Sequence, residues 1–217
     1  MAFKGHMGSG GDFQQATPGM VSAVLARIID WGTQEWGTFG PARRVQLVWE
    51  INEEVAAGEF AGKHLTVSNI YTLSFNEKSN LMKDLQSWRG RAFGPDDEID
   101  LHACIGKPAM LNLVVSPKGD RINVGSVSPM VKGMQPLVPD QQPLVFDLDE
   151  PDWDAWARLH EKTQEKIAVT KEYKAATGHK AQPSQVTRNP SGSRGYAADP
   201  VSDGHTPAVD FDDDIPF

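Results

Sequence analysis

One cysteine, Cys104, stands in 217 residues. A disulfide needs two, so the fold has no internal disulfide framework and must be held by packing; a lone thiol fits a reducing compartment. Long apolar runs are missing too. No segment approaches the roughly 20 residues of a membrane span, and no charged-then-apolar leader opens the chain, so the expectation is a cytoplasmic protein without a membrane partner. The six histidines are scattered, with no His-x-x-x-His and no Cys-x-x-Cys, which leaves no recognisable zinc signature. No glycine-rich loop ends in Lys-Ser or Lys-Thr, which removes the common nucleotide-phosphate cradle. Two acidic runs occur, at Asp96, Asp97, Glu98 and Asp100 and at Asp147, Asp149, Glu150, Asp152 and Asp154. Neither has calcium-loop spacing, and each precedes or opens an expected helix, where acids cap amides and favour the dipole. With no catalytic constellation, the expectation is a non-enzyme with no cofactor and no bound metal.

An excess of positive charge is also absent: the formal net charge is −8. Its distribution is uneven. Residues 1–150 hold 13 Lys/Arg against 18 Asp/Glu; residues 155–194 hold eight against three; residues 195–217 hold six Asp and no Lys or Arg. A basic segment therefore leads into an acidic end. Any polyanion would have to meet a local basic stripe rather than a basic domain.

Residues 1–19, rich in glycine and polar side chains, read as a flexible arm. Met20–Asp30 is apolar and β-branched and predicts a strand. Trp31–Pro41 reads as a glycine-punctuated loop carrying Trp31, Trp36 and Phe39, and Gly32 is placed to supply a bend. From Arg43 to Ile51 the pattern alternates, with Val45, Leu47, Trp49 and Ile51 on one face and Arg44, Gln46, Val48 and Glu50 on the other. After a polar connection, His64–Phe75 predicts a third strand. A helix follows, capped by Asn76 and ended by Gly90, with Leu81, Met82, Leu85 and Trp88 as its apolar stripe. Asp96–Cys104 predicts a short helical turn, and Ala109–Ser116 and Arg121–Val127 two more strands.

The order β-β-β-α-β-β over residues 20–150 is that of the five-stranded OB-fold, a mainly β barrel that binds oligonucleotides on strands two and three and the flanking loops, with other small barrels carrying an inserted helix as the alternative. Proline-rich Met130–Glu150, with Leu144-Val145-Phe146 as a short strand, predicts a strap returning over the barrel. Residues 151–177 predict one helix with Trp153, Trp156, His160 and Ile167 near one face. Residues 178–209 have the composition of a disordered linker.

The chain ends Asp210-Phe211-Asp212-Asp213-Asp214-Ile215-Pro216-Phe217. Acids repel one another and eight residues are too few to fold, but a basic rim can hold Asp212, Asp213 and Asp214 while an apolar pocket takes Ile215, Pro216 and Phe217. This tip resembles the acidic C-terminal tip of bacterial single-stranded DNA-binding proteins and of phage proteins with the same role. The resemblance covers about eight residues at the end of a linker. It implies a protein that coats single-stranded DNA and recruits host replication, recombination and repair proteins. The body carries no motif of that family on which DNA-contacting residues or a tetramer can be transferred, so a divergent phage-type member is implied, with self-association open.

Binding single strands without sequence preference requires cations along the phosphates and flat rings for the bases. The first interstrand loop offers Trp31, Trp36, Phe39, Arg43 and Arg44. Tyr71 is a further candidate on strand three, whose other face-mates, Phe75 included, read mainly as core; Trp49 reads as core. Lys78, Lys83, Trp88, Arg89 and Arg91 cluster on and after the helix, and Lys118 and Arg121 flank the last hairpin. A second reading remains: an adaptor that binds no nucleic acid and captures host replication proteins through the tip.

Overall fold

The computed structural model of the chain describes residues 14–36, 40–94 and 96–178. The strands are β1 (Gly19–Gln34), β2 (Ala42–Glu54), β3 (His64–Thr72), β4 (Pro108–Val115), β5 (Ile122–Ser128) and β6 (Leu144–Phe146). The helices are α1 (Asn80–Arg89), α2 (Trp153–Ala157), α3 (Glu161–Ala168) and α4 (Lys171–Gly178), with a single 3-10 turn at His102–Cys104. The expected β-β-β-α-β-β order is present. The sheet runs β3-β2-β1-β4-β5 with every neighbour antiparallel, and β6 adds a parallel partner to β1. Edge strands β3 and β5 approach one another, but no ladder joins them among the described residues, so the sheet is unclosed. No helix among the described residues is long and apolar enough to cross a membrane.

β1 is the spine. It is buried on both sides because it separates two apolar clusters. Leu25 and Ile28 both enter the first cluster although they stand three apart, a spacing that strict alternation forbids. The register slips between Leu25 and Arg27, and the extra residue of such a bulge reverses the phase of the strand. A second slip lies between Asp30 and Gly32. Gly32 takes φ 63° there, a left-handed conformation natural to glycine, so the expected bend is found. The strand nonetheless continues to Gln34 and absorbs Trp31, which the sequence placed in a loop.

On β2 the alternation holds: Val45, Leu47, Trp49 and Ile51 are all buried in the first cluster. Trp49 meets Trp88 of α1 edge-to-face at 4.9 Å, an arrangement worth about 0.5–1.5 kcal/mol beyond its area. Leu81, Met82 and Leu85 complete the buried face of α1. Its N-cap is Ser79, whose hydroxyl accepts from Met82 N–H, rather than Asn76, while Gly90 ends it in the left-handed conformation as expected. Asn76 instead turns the preceding loop by accepting from Lys78 N–H at 2.9 Å.

Two boundaries move. Residues 14–18, expected to be part of a loose arm, are tied down: Gln14 bonds Glu54 and Ala56, Thr17 N–H bonds the Glu53 carboxylate, and Ala16 is buried. The expected helix over 151–177 is three short helices. Asp152, His160 and Thr170 each accept from a following backbone N–H, and these side-chain bonds let the chain restart rather than continue. The breaks allow the segment to follow the sheet and to bury Ala155, Leu159 and Ile167 against Ile29, Trp31, Phe146 and Leu148.

Candidate nucleic-acid interface

The predicted DNA-contacting residues separate into buried, bonded and exposed groups. Trp31 is buried, and its indole N–H donates to Gln46 Oε1 at 3.0 Å. Lys166 of α3 lies 5.7 Å from its ring centre. Trp31 is therefore a core residue under the helices, not a stacking platform. Tyr71 is also buried; its hydroxyl donates to Asp84 at 2.8 Å. Burial, together with the Asp84 charge, holds the phenol well above its ordinary range. Trp88 is the core anchor of α1, its N–H donating to Pro108 O at 2.9 Å. None of these three rings is presented to a base.

Arg43 is caged by acids. It ion-pairs with Asp30 and reaches Asp149 at 2.9 Å and Asp147 at 3.6 Å. Burial works against its charge, yet hydrogen bonds to Asp30 and Asp149 outweigh that and raise its pKa. With its fork committed to carboxylates, Arg43 serves to lock β6 and its following loop onto β1 and β2. A cavity of about 330 Å³ lies beside it, lined among others by Asp30, Phe75, His102 and Asp147. His102 Nε2 is 3.1 Å from Asp147. Arg89 pairs with Asp97 at 2.6 Å and lies over Phe93 at 4.6 Å. Its hydrogen bond, with one from Gly94, lowers the Asp97 pKa to about 2.

The remaining candidates are surface groups. Trp36 is 40% exposed, and Arg44 sits 6.0 Å from its ring while donating to Trp36 O and Thr72 Oγ1. Lys78, Lys83 and Arg91 are exposed on and around α1, and Lys118 and Arg121 on the β4–β5 hairpin. That hairpin is tightened by Ser116, which donates to Asp120 at 2.6 Å. The registers place the β1–β2 turn and this hairpin at opposite ends of β1, so these cations form no single cluster. Phe39, the linker and Asp212 to Phe217 lie outside the described residues.

Sequence reasoning missed three features. Phe60 and Phe75 are 62% and 46% exposed. Phe75 falls beyond the end of β3, which removes it from the core face assigned to it. Phe60 is flanked by Gly58 and Gly62, the same ring-among-glycines signal that drew attention to Trp36, and exposed Lys63 follows it. The third is a cover: Leu159, His160 and Thr163 lie over Gln46, Val48, Thr66 and Ser68 on the outer face of β2 and β3, enclosing a groove of about 220 Å³.

Cys104 is buried, and burial with the Asp100 charge pushes its thiol up to about 12, far from a reactive thiolate. The group among the described residues that could share a metal ion is Glu50, His64 and Asp140. No family model matches the chain, and no curated protein matches it.

Proposed function

We propose that this chain is a non-catalytic single-stranded DNA-binding protein of a divergent phage type. In this reading its sheet acts as an OB-fold, and residues 210–217 recruit host replication, recombination and repair proteins. The observation that carries the proposal is the run Asp210-Phe211-Asp212-Asp213-Asp214-Ile215-Pro216-Phe217, with its acids and its apolar hook. The sheet supports it. In the order β3-β2-β1-β4-β5, contact between β3 and β5 would complete the circle of a five-stranded barrel. The strand of DNA would start at Trp36 and Arg44, cross the outer face of β2 and β3, and end near Lys118 and Arg121. Helices α2 to α4 overlie part of that face and so compete with the DNA.

A specific observation favours the adaptor reading as runner-up: Arg43 is committed to acids and Trp31 to the core, which removes two of the strongest DNA candidates. A salt series on a single-stranded oligonucleotide separates the two. Phosphate contact predicts that log affinity falls linearly with log salt, by about 0.7 per phosphate neutralised. The six exposed or rim candidates (Arg44, Lys78, Lys83, Arg91, Lys118 and Arg121) would together contribute a slope of about 4 if all met phosphates. Absence of binding at low salt leaves the adaptor. Deleting residues 210–217 should abolish capture of partner proteins while leaving DNA affinity unchanged or raised; a sharp loss of DNA binding would mean the tip has another role.

A further inference from the structure

Glu50 belongs to the outward-facing set of β2, where a carboxylate ordinarily meets water, yet it is 1% exposed. The strap hangs on it: Asp140 N–H donates to Glu50 Oε2 at 2.6 Å and Gln141 N–H to Oε1 at 3.3 Å. His64, the first residue of β3, donates its backbone N–H to Asp140 Oδ2 at 2.6 Å. The His64 ring nitrogen Nδ1 then faces both carboxylates, 3.2 Å from Asp140 Oδ2 and 3.6 Å from Glu50 Oε2. That nitrogen is buried and makes no hydrogen bond. Three segments distant in sequence thus converge on one point and leave a buried polar atom unsatisfied there, which ordinarily costs free energy.

The spacing is that of ligands. A tetrahedral zinc ion with bonds of about 2.0–2.1 Å sets neighbouring ligand atoms roughly 3.3–3.4 Å apart. The two nitrogen–oxygen distances straddle that value. The backbone N–H groups already orient both carboxylates, as outer-shell donors do around bound metals. A divalent ion would also neutralise two carboxylates, one of them fully buried. One imidazole and two carboxylates suit zinc better than calcium or magnesium, which take six or more oxygens. His64 and Asp140 keep 19% and 25% of their side chains exposed, which leaves an approach for the ion and a fourth position for water.

We propose that Glu50, His64 and Asp140 form a divalent-cation site, zinc the best fit, that fastens the strap across the ends of β2 and β3. The inference stands apart from the DNA reading. The test uses the full chain, stripped with a chelator and titrated with zinc by calorimetry and with cobalt by visible absorption. Expected is saturable uptake of one ion per chain at micromolar metal, with the absorption of four-coordinate cobalt and a rise in the wild-type melting temperature. His64→Ala and Asp140→Asn should each weaken that binding at least about tenfold and remove the thermal shift. Uptake that is undiminished in both variants would assign the metal to the other histidines and overturn the proposal, as would no saturable uptake by the wild type. Should His64→Ala fail to fold, Asp140→Asn, on the exposed strap, decides alone.

Discussion

Replacing Ile167 by alanine should loosen the helical cover from the sheet. Ile167 is fully buried in the last turn of α3, in the cluster that contains Trp31, Phe146 and Leu159. Truncating a buried isoleucine to alanine costs about 2–5 kcal/mol. The loss falls on the cover, because the first cluster, with Trp49, Trp88 and the α1 face, shares none of these residues. Besides the apolar contacts of Ala155, Leu159 and Trp156, the cover is tied by Gln34 to Lys166 O at 3.2 Å, by Glu172 to Thr33 N–H and hydroxyl at 2.9 and 2.6 Å, and by Arg158 to Gln142 O at 2.8 Å. Each 1.4 kcal/mol multiplies the undocked fraction about tenfold. A ligand that needs the open state gains affinity in proportion to that fraction, until opening is complete. If DNA and the cover compete for the outer face of β2, Ile167→Ala should raise affinity for a single-stranded oligonucleotide by about tenfold or more. Fluorescence anisotropy measures the affinity; a red shift in tryptophan emission, from Trp31, Trp153 and Trp156 meeting water, reports undocking. The reasoning fails if emission shifts while affinity is unchanged or reduced, since the helices would then be bystanders or part of the binding surface.

Trp36→Ala should cost about 1–3 kcal/mol of single-strand affinity, the usual worth of one stacked base, with folding by circular dichroism unaltered. Gly32→Ala should destabilise the fold by about 1–3 kcal/mol in chemical denaturation, because φ is +63° there and a methyl group would lie 2.7 Å from Thr170 Oγ1. Tyr71→Phe should push the Asp84 carboxyl further up, because burial already raises it and the Tyr71 bond opposes that rise; carboxyl NMR titration reads the shift, and no movement would refute it. Asp97, lowered to about 2 by Arg89 and Gly94, contributes stability that is whole above its ordinary 3.8 and lost as the pH falls from there through about 2; Arg89→Gln should return its NMR titration toward the ordinary value.

The parts of the fold written in local periodicity were legible. The β2 alternation, the apolar stripe of α1, the stop at Gly90 and the Leu144–Phe146 strand all follow from side-chain spacing or one residue's backbone freedom. The failures have a common physical origin. Trp31 was placed in a loop because glycine follows it, yet a left-handed glycine inside a strand makes a bulge as readily as an end. Arg43 looked like a phosphate ligand because two of the three acids that cage it, Asp147 and Asp149, lie more than a hundred residues away and the third, Asp30, sits on the neighbouring strand. The helix over 151–177 broke where Asp152, His160 and Thr170 offered caps, a competition decided by the sheet beneath. Exposed Phe60 carried a usable signal, since glycines flank it as they do the aromatics of the first loop.

The acidity of the body, taken from composition alone, argues against binding a polyanion. The structure changes the weight of that argument. Asp30, Asp147 and Asp149 are spent on Arg43, Asp97 on Arg89, Asp84 on Tyr71, Glu172 on Thr33 and Glu50 on the strap backbone. Several of these carboxylates fasten loops that close over β1, so they are structural before they are surface charge. Lys78, Lys83, Arg91, Lys118 and Arg121, by contrast, stand on exposed positions. A strand of phosphates responds to the local potential within about a Debye length, about 8 Å at physiological ionic strength, rather than to the sum over the chain. If the chain binds DNA as proposed, the net charge of −8 would constrain how fast DNA approaches more than whether a groove can hold it. In the proposed reading, the four Asp of residues 210–217, with no Lys or Arg among residues 195–217, would suit a basic partner.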